Sequence, residues 1–253
     1  MTRTKPYFGR LMTAMVTFFH EDGSLNADGT ADFAAWLVEH GSDAILVSGT
    51  SGEAPTMTVE EKEELFTKVI AKINHKAPVI VGTGSNNTAD VLKMNELAEK
   101  VGADGVLVVG PYYNKPSQEG FYQHFKTIAE HTKLPIIIYN NRPKTNVTVE
   151  PATVAKLAEI DNIIGVKDST GDMTNTEEYL RLTRGMDNFH VMMGRDTLIY
   201  AALCYGASGA IASCANVAPR IAVDIYEKFR AGDAAGALDA QFRFSALRIA
   251  TNM

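Results

Sequence analysis

Two apolar runs in this chain stop on ionisable side chains. Pro135-Ile136-Ile137-Ile138-Tyr139 leads into Asn140, Asn141, Arg142, Pro143 and Lys144, and Ile163-Ile164-Gly165-Val166-Lys167 leads into Asp168 and Ser169. Runs this short and this apolar are what strands buried on both faces require. A lysine at such a strand end has two readings. Burial disfavours the ammonium form, so the side chain offers a free amine, the nucleophile that attacks a ketone to form a Schiff base. Alternatively, its stem lies along the strand end and the charge snorkels into water. Tyr139 either serves as an acid/base beside Lys167 or is a barrel aromatic with a satisfied hydroxyl. Gly49-Thr50-Ser51-Gly52 brings backbone N–H groups and two hydroxyls to one turn, which suits a carboxylate or phosphate and equally suits a plain turn. Pro111-Tyr112-Tyr113-Asn114 reads as a reactive loop, an aromatic packing loop or a subunit contact.

The elements that must position these groups follow a regular beat. Apolar runs at 11–19, 44–48, 78–82, 105–109, 135–139, 163–167, 189–194 and 209–213 alternate with helical patterns, and that alternation implies a parallel sheet. Thr58 to Glu61 forms a capping box ahead of Leu65, Phe66, Val69, Ile70 and Ile73, and Thr174 to Glu177 repeats the pattern. Phe33, Trp36 and Leu37 make the inner face of the first helix, Asp196 caps a helix that Gly206 ends, and Pro151 and Pro219 sit in first turns. A helix runs from Asn216 to near Gly232, and another spans 234–249. Eight strand-helix units favour an α/β fold closed as a (β/α)8 TIM barrel over an open doubly wound sheet. The dinucleotide fingerprint is missing, because Gly82-Thr83-Gly84 lacks the third glycine at its offset. The expected division is a catalytic barrel over 1–232 and the start of a C-terminal helical region over 233–253.

Composition narrows the function classes. With 253 residues, 45% hydrophobic and 21% charged, the chain has the make-up of one ordinary globular domain. A net charge of -6 argues against nucleic acid or an anionic membrane as partner. No apolar stretch reaches the length of a membrane span and no signal-like segment opens the chain, so a cytoplasmic address is expected. Cys204 and Cys214 are expected to be buried and reduced, and the six histidines form no metal-ligand pair.

Taken together, Gly49-Thr50-Ser51-Gly52-Glu53, the stretch from Pro111 to Gly120 that includes Tyr112-Tyr113-Asn114 and Pro116-Ser117-Gln118-Glu119, Tyr139-Asn140 and Ile163-Ile164-Gly165-Val166-Lys167 closely resemble the dihydrodipicolinate synthase/N-acetylneuraminate lyase family of pyruvate-dependent class I aldolases. The resemblance runs in order through nearly the whole chain, and the Tyr-Tyr-Asn stretch is more similar to the synthase branch. It implies a TIM barrel and a Schiff base between Lys167 and pyruvate, with no cofactor and no metal. It further implies that Tyr139 relays protons and that Thr50 links Tyr139 to Tyr113, which reaches in from a neighbouring subunit. Thr50 and Ser51 would hold the pyruvate carboxylate, and the backbone carbonyl of Ile211 would orient the site. The enamine would then attack a small aldehyde, most naturally L-aspartate 4-semialdehyde, in a homo-oligomer (dimer or tetramer).

The chain departs from the family pattern in four places. Lys144 stands where synthases place an Arg to grip the second substrate's carboxylate, with Arg142 two residues earlier, so either the grip weakens, Arg142 substitutes, or the second substrate differs. Ser51 replaces a usual Thr. Val59 and Lys62 occupy positions that are often His in lysine-regulated synthases, although Asn86 and Asp90 fit that cleft, which implies no tight lysine inhibition. Members usually continue into a longer helical C-terminal region, so a truncated extension is expected, with apolar helix faces exposed or assembly weakened. The alternatives are an aldolase or dehydratase acting on 2-keto-3-deoxy sugar acids, and a non-catalytic relative that binds a 2-keto acid.

Overall fold

In the computed structural model, which describes residues 7–250, the eight runs become eight parallel strands that close on themselves in sequence order. They are β1 (Leu11–Ala14), β2 (Ala44–Val47), β3 (Val79–Gly82), β4 (Gly105–Val109), β5 (Ile136–Asn140), β6 (Ile163–Asp168), β7 (His190–Met193) and β8 (Gly209–Ala212). The helices are α1 (Ala27–Glu39), α2 (Val59–Ile73), α3 (Thr88–Val101), α4 (Gln118–Glu130), the single turn α5 (Arg142–Thr145), α6 (Pro151–Leu157), α7 (Met173–Leu182), α8 (Ile199–Tyr205), α9 (Pro219–Arg230) and α10 (Ala234–Ala250). The fold is the (β/α)8 barrel. Strands buried on both faces carry two cores: Met12, Leu46, Ile80, Leu107, Ile137 and Ile211 fill the interior, while residues of opposite parity pack against the helices.

Several local expectations are corrected. β1 ends at Ala14 rather than running to residue 19, because the Asn216 side chain takes over the backbone there, donating to Ala14 O at 2.8 Å and accepting from Val16 N at 3.1 Å. The capping box at Thr58 is complete, but α7 is capped by Asp172, whose carboxylate accepts from Thr174 N at 2.9 Å, so Thr174 lies inside the helix. A side-chain cap of this kind stabilises a helix by about 1 kcal/mol. Asp196 caps no helix by its side chain; it opens a short 3-10 turn and turns its carboxylate to the β8 loop. α9 starts at Pro219, after a separate 3-10 turn at Cys214–Asn216. Trp36 is exposed and stacks between Phe33 and His40, and Cys204 is exposed, whereas Cys214 is buried as expected.

One irregularity decides which way the reactive lysine points. Ile136 pairs with Ile163 but Ile137 pairs with Gly165, so β6 carries one extra residue, Ile164, opposite β5. Ile163 and Val166 both face the helix layer and Ile164 faces the interior, a phase that a straight strand cannot hold. Beyond the bulge, Tyr139 is opposite Lys167 and Asn140 opposite Asp168. Without it, Tyr139 would face Val166 and the amine would leave the barrel. The bulge demands a glycine, because a β-carbon on Gly165 would sit 2.5 Å from His190 O of β7.

Among the described residues no helix is long and apolar enough to cross a membrane.

Candidate active site

Reactive groups gather where the strands end, at the C-terminal mouth of the barrel. Lys167 is 5% exposed, and its Nζ lies 4.4 Å from the centre of the Tyr139 ring. The contact is a cation–π pair when the amine is protonated, worth about 0.5–2 kcal/mol. Room for the lysine stem comes from β7: a β-carbon at Gly194 would sit 3.1 Å from Lys167 Cε and 2.0 Å from Ser169 Oγ.

The Tyr139 hydroxyl, on a residue 6% exposed, accepts from Asn141 Nδ2 at 2.7 Å and lies 3.5 Å from Thr50 Oγ1. Burial alone would raise its pKa. The positive charge of Lys167, the hydroxyls of Thr50 and Ser169 and the Asn141 amide outweigh that penalty, and the phenol is held below its ordinary value. Ser169 Oγ makes no hydrogen bond of ordinary geometry, so it acts on the phenol as a nearby dipole. A phenol that releases its proton more readily, next to an amine, has the properties that proton transfer requires.

The strand ends behind this pair are tied down. Asp168, 1% exposed, accepts from Thr176 Oγ1 at 2.7 Å, Thr170 N at 2.9 Å and Asn175 Nδ2 at 3.1 Å. Asn140 donates to the Tyr179 hydroxyl at 2.7 Å and accepts from Val149 N at 3.2 Å, and Tyr179 donates to Val149 O. Burial, then the Asp168 charge, pushes the Tyr179 phenol well up, so it stays a neutral donor.

Opposite stands the Gly49 to Glu53 turn. Thr17 Oγ1 donates to Gly52 O at 2.8 Å, and Glu53 adopts a left-handed φ of 55°. The amides of Gly52, Glu53 and Ala54 close the turn onto Gly49 O and Thr50 O, and those of Thr50 and Ser51 donate to no backbone acceptor. Two hydroxyls beside two amides without a backbone acceptor supply the donors that an anion would need. Ser51 Oγ lies 2.9 Å from Ser213 Oγ across the mouth. Ile211 is fully buried in the interior of β8.

A cleft of about 520 Å³ opens on the β2 to β5 side and is lined by Thr50, Tyr112, Tyr139, Asn141, Lys144 and Lys62, among others. Tyr139 lines this cleft and is also the ring that the Lys167 amine touches. Burial in the far wall lowers the Lys62 pKa. Val59 and Asp90 share that wall. Lys144 faces the cleft, and Arg142, on the same short helix, does not. Tyr113 stays out of its own chain's site: it is 84% exposed at a left-handed φ of 71°.

Of the residues singled out in the sequence, Lys167, Tyr139, Thr50 and Ser51 stand at strand ends around the mouth, Lys144 joins them on the rim, Ile211 lies within the barrel interior, and Arg142 and Tyr113 stay outside. Three contributors were overlooked. Asn141 could have been found, since it shares a face with Tyr139 two residues earlier. Gly165 carried the signal of an isolated glycine within a strand. Ser213 carried no sign of its partner Ser51.

With the geometry in view, comparison with known proteins is informative. A family model described as the dihydrodipicolinate synthetase family matches residues 7–251. The 4-hydroxy-tetrahydrodipicolinate synthase of Moorella thermoacetica is 46% identical over 230 residues, covering 91% of this chain and 78% of that protein. The crystal structure of a dihydrodipicolinate synthase from Bacillus anthracis matches with a TM-score of 0.90 at 40% identity, over 94% of this chain and 80% of the other. That of the chloride-inhibited dihydrodipicolinate synthase from Acinetobacter baumannii, complexed with pyruvate, matches with a TM-score of 0.91 at 34% identity, over 96% and 83%.

Proposed function

The chain belongs to the dihydrodipicolinate synthetase family, and we propose that it is a cytoplasmic Schiff-base-forming lyase that condenses pyruvate with L-aspartate 4-semialdehyde to give 4-hydroxy-tetrahydrodipicolinate, in lysine and diaminopimelate biosynthesis. The observation that carries this reading is the buried amine of Lys167 held 4.4 Å from the ring of a phenol that is itself fixed by Asn141 and Thr50.

In this mechanism the Lys167 amine attacks C2 of pyruvate. Tyr139 passes a proton to the departing oxygen, water leaves, and an iminium forms. The iminium draws electrons from the methyl group, whose proton goes to the Tyr139 oxygen, leaving an enamine. Thr50 and Ser51 hold the carboxylate so that this carbon faces the cleft. The enamine carbon attacks the aldehyde carbon and the new alkoxide takes a proton from Tyr139. The amine of the second substrate then adds to C2; one of its protons leaves with the Lys167 nitrogen and the other returns to the Tyr139 oxygen, which closes the ring and restores the enzyme. Pyruvate bound to the Acinetobacter baumannii relative supports the choice of keto acid.

On the rim, Lys144 takes the carboxylate of the aldehyde substrate, with Arg142 as a peripheral cation. Tyr113 serves a neighbouring subunit of a homodimer or homotetramer, where its hydroxyl joins Thr50 and Tyr139 in a proton relay; its 84% exposure supports a role in trans. The proposed division assigns 1–232 to the catalytic barrel and 233–253 to a C-terminal helical region, whose described part is α10.

Lys144 also supports the second reading, a 2-keto-3-deoxy sugar acid aldolase, because a lysine lacks the two-pronged grip of a guanidinium on a carboxylate. A panel of pyruvate with aspartate semialdehyde, glyceraldehyde or glycolaldehyde separates the two. The synthase reading expects pyruvate consumption at least about 100-fold more efficient with aspartate semialdehyde. Preference for a hydroxyaldehyde would overturn it in favour of the sugar-acid aldolase.

A further inference from the structure

Ser213 closes β8 and takes no part in the steps above. Its backbone is clamped from both sides: Asp196 Oδ1 accepts from Ser213 N at 3.0 Å, and Asn216 Nδ2 donates to Ser213 O at 2.7 Å. Asp196 is 2% exposed, and its other oxygen accepts from Cys214 N at 3.2 Å. Its carbonyl accepts from Gln241 Nε2 of α10 at 2.8 Å, and Gln241 Oε1 accepts from Tyr200 N of α8 at 2.8 Å. The two of these bonds that reach Ser213 both act on its main chain, and the rest hold Asp196 in place. An alanine there would be held equally well, so the frame makes no demand on the hydroxyl. The hydroxyl's one partner in the described structure is Ser51 Oγ, at 2.9 Å.

The protons of that pair are constrained. Each serine hydroxyl has a single proton to donate, whereas a carboxylate only accepts. If Ser51 is to hold the keto-acid carboxylate, its proton must point at the carboxylate, and its oxygen is then left to accept. Ser213 must therefore be the donor within the pair. We infer that Ser213 is a positioning residue for the 2-keto acid: it donates to Ser51 Oγ, fixes the Ser51 rotor toward the carboxylate, and polarises a Ser213–Ser51–carboxylate chain. The inference rests on the reading of Lys167 and Ser51 as the pyruvate site.

The test measures the pyruvate concentration that gives half-maximal borohydride trapping, with the KM values for pyruvate and aldehyde and the melting temperature, in the full chain and in Ser51→Ala, Ser213→Ala, Ser213→Thr and the double alanine variant. Ser213→Ala should raise the half-trapping concentration about 5–10-fold, which is the scale of one charge-assisted hydrogen bond. Ser213→Thr should come back to within about twofold of the parent, and the double variant should be no weaker than Ser51→Ala alone, since Ser213 acts only through Ser51. Aldehyde KM and melting temperature should stay at parental values. Multiplying losses in the double variant, an unchanged trapping concentration in Ser213→Ala, or a loss tracking a lowered melting temperature or a raised aldehyde KM would each overturn the role. A parent that pyruvate and borohydride leave unmodified would remove the Schiff-base reading and this inference together. Trapping that is normal but indifferent to Ser213 removes this inference alone.

Discussion

Along the seam between β5 and β6, Tyr139, Lys167 and Asp168 are buried, placed in register by a bulge, and backed by hydrogen bonds from α7 and the strand ends. On the rim carried by α5 and the loop after β4, Arg142, Lys144 and Tyr113 stand exposed, and none of them makes a salt bridge within the described residues. The contrast assigns the two halves of the reaction different physical demands. Forming an iminium needs a desolvated amine at fixed distance from a proton carrier, which only a packed interior supplies. Accepting the aldehyde needs charge at the mouth of a cleft, where side chains can adjust. The first half is preorganised by the fold, and the second is left to exposed side chains on the rim.

The sharpest way to break this comparison is at the seam. Lys167→Met, which keeps the stem and removes the amine, should lower kcat by about 10⁴-fold or more without unfolding the barrel, read by steady-state assay and circular dichroism. Tyr139→Phe should keep pyruvate adduct formation detectable but lower kcat about 10²–10³-fold, the scale of a lost proton shuttle; parental kcat would place the proton carrier elsewhere. Gly165→Ala pushes a methyl group to within 2.5 Å of His190 O, so it should destabilise the fold by about 2–3 kcal/mol and slow trapping together, seen by denaturant titration.

Rim changes should be smaller and confined to one substrate. Lys144→Ala should raise the aldehyde KM about 10–30-fold and leave pyruvate KM unchanged, and Lys144→Arg should lower aldehyde KM below the parent if a carboxylate is the group held there. An equal effect on both substrates would erase the distinction between seam and rim. Last, added free lysine should change the rate by less than about twofold, since Val59 and Lys62 line the wall where the resemblance implies histidines in lysine-regulated synthases.

Much of the seam was legible because parallel strands buried on both faces read as apolar runs, and 135–139 and 163–167 end where their reactive residues do. The phase of β6 was not, since whether Lys167 faces in or out depends on Gly165 meeting the β7 backbone, a contact between strands. The end of β1 misled for a similar reason: Met15, Val16, Phe18 and Phe19 continue the apolar run, but Asn216, two hundred positions away, takes the backbone out of the sheet. Asp196 shows the same limit at a single residue. Its chemistry, a carboxylate seeking amide protons, was readable, and its partners, the amides of Ser213 and Cys214 rather than a helix start, were not.

Incubation of the protein with pyruvate and borohydride, followed by peptide mass analysis, addresses the seam most directly. The account predicts one reduced pyruvyl group per chain, located on Lys167 and absent from Lys167→Met. Modification spread over Lys62, Lys144 and other exposed lysines, or retained in Lys167→Met, would contradict it.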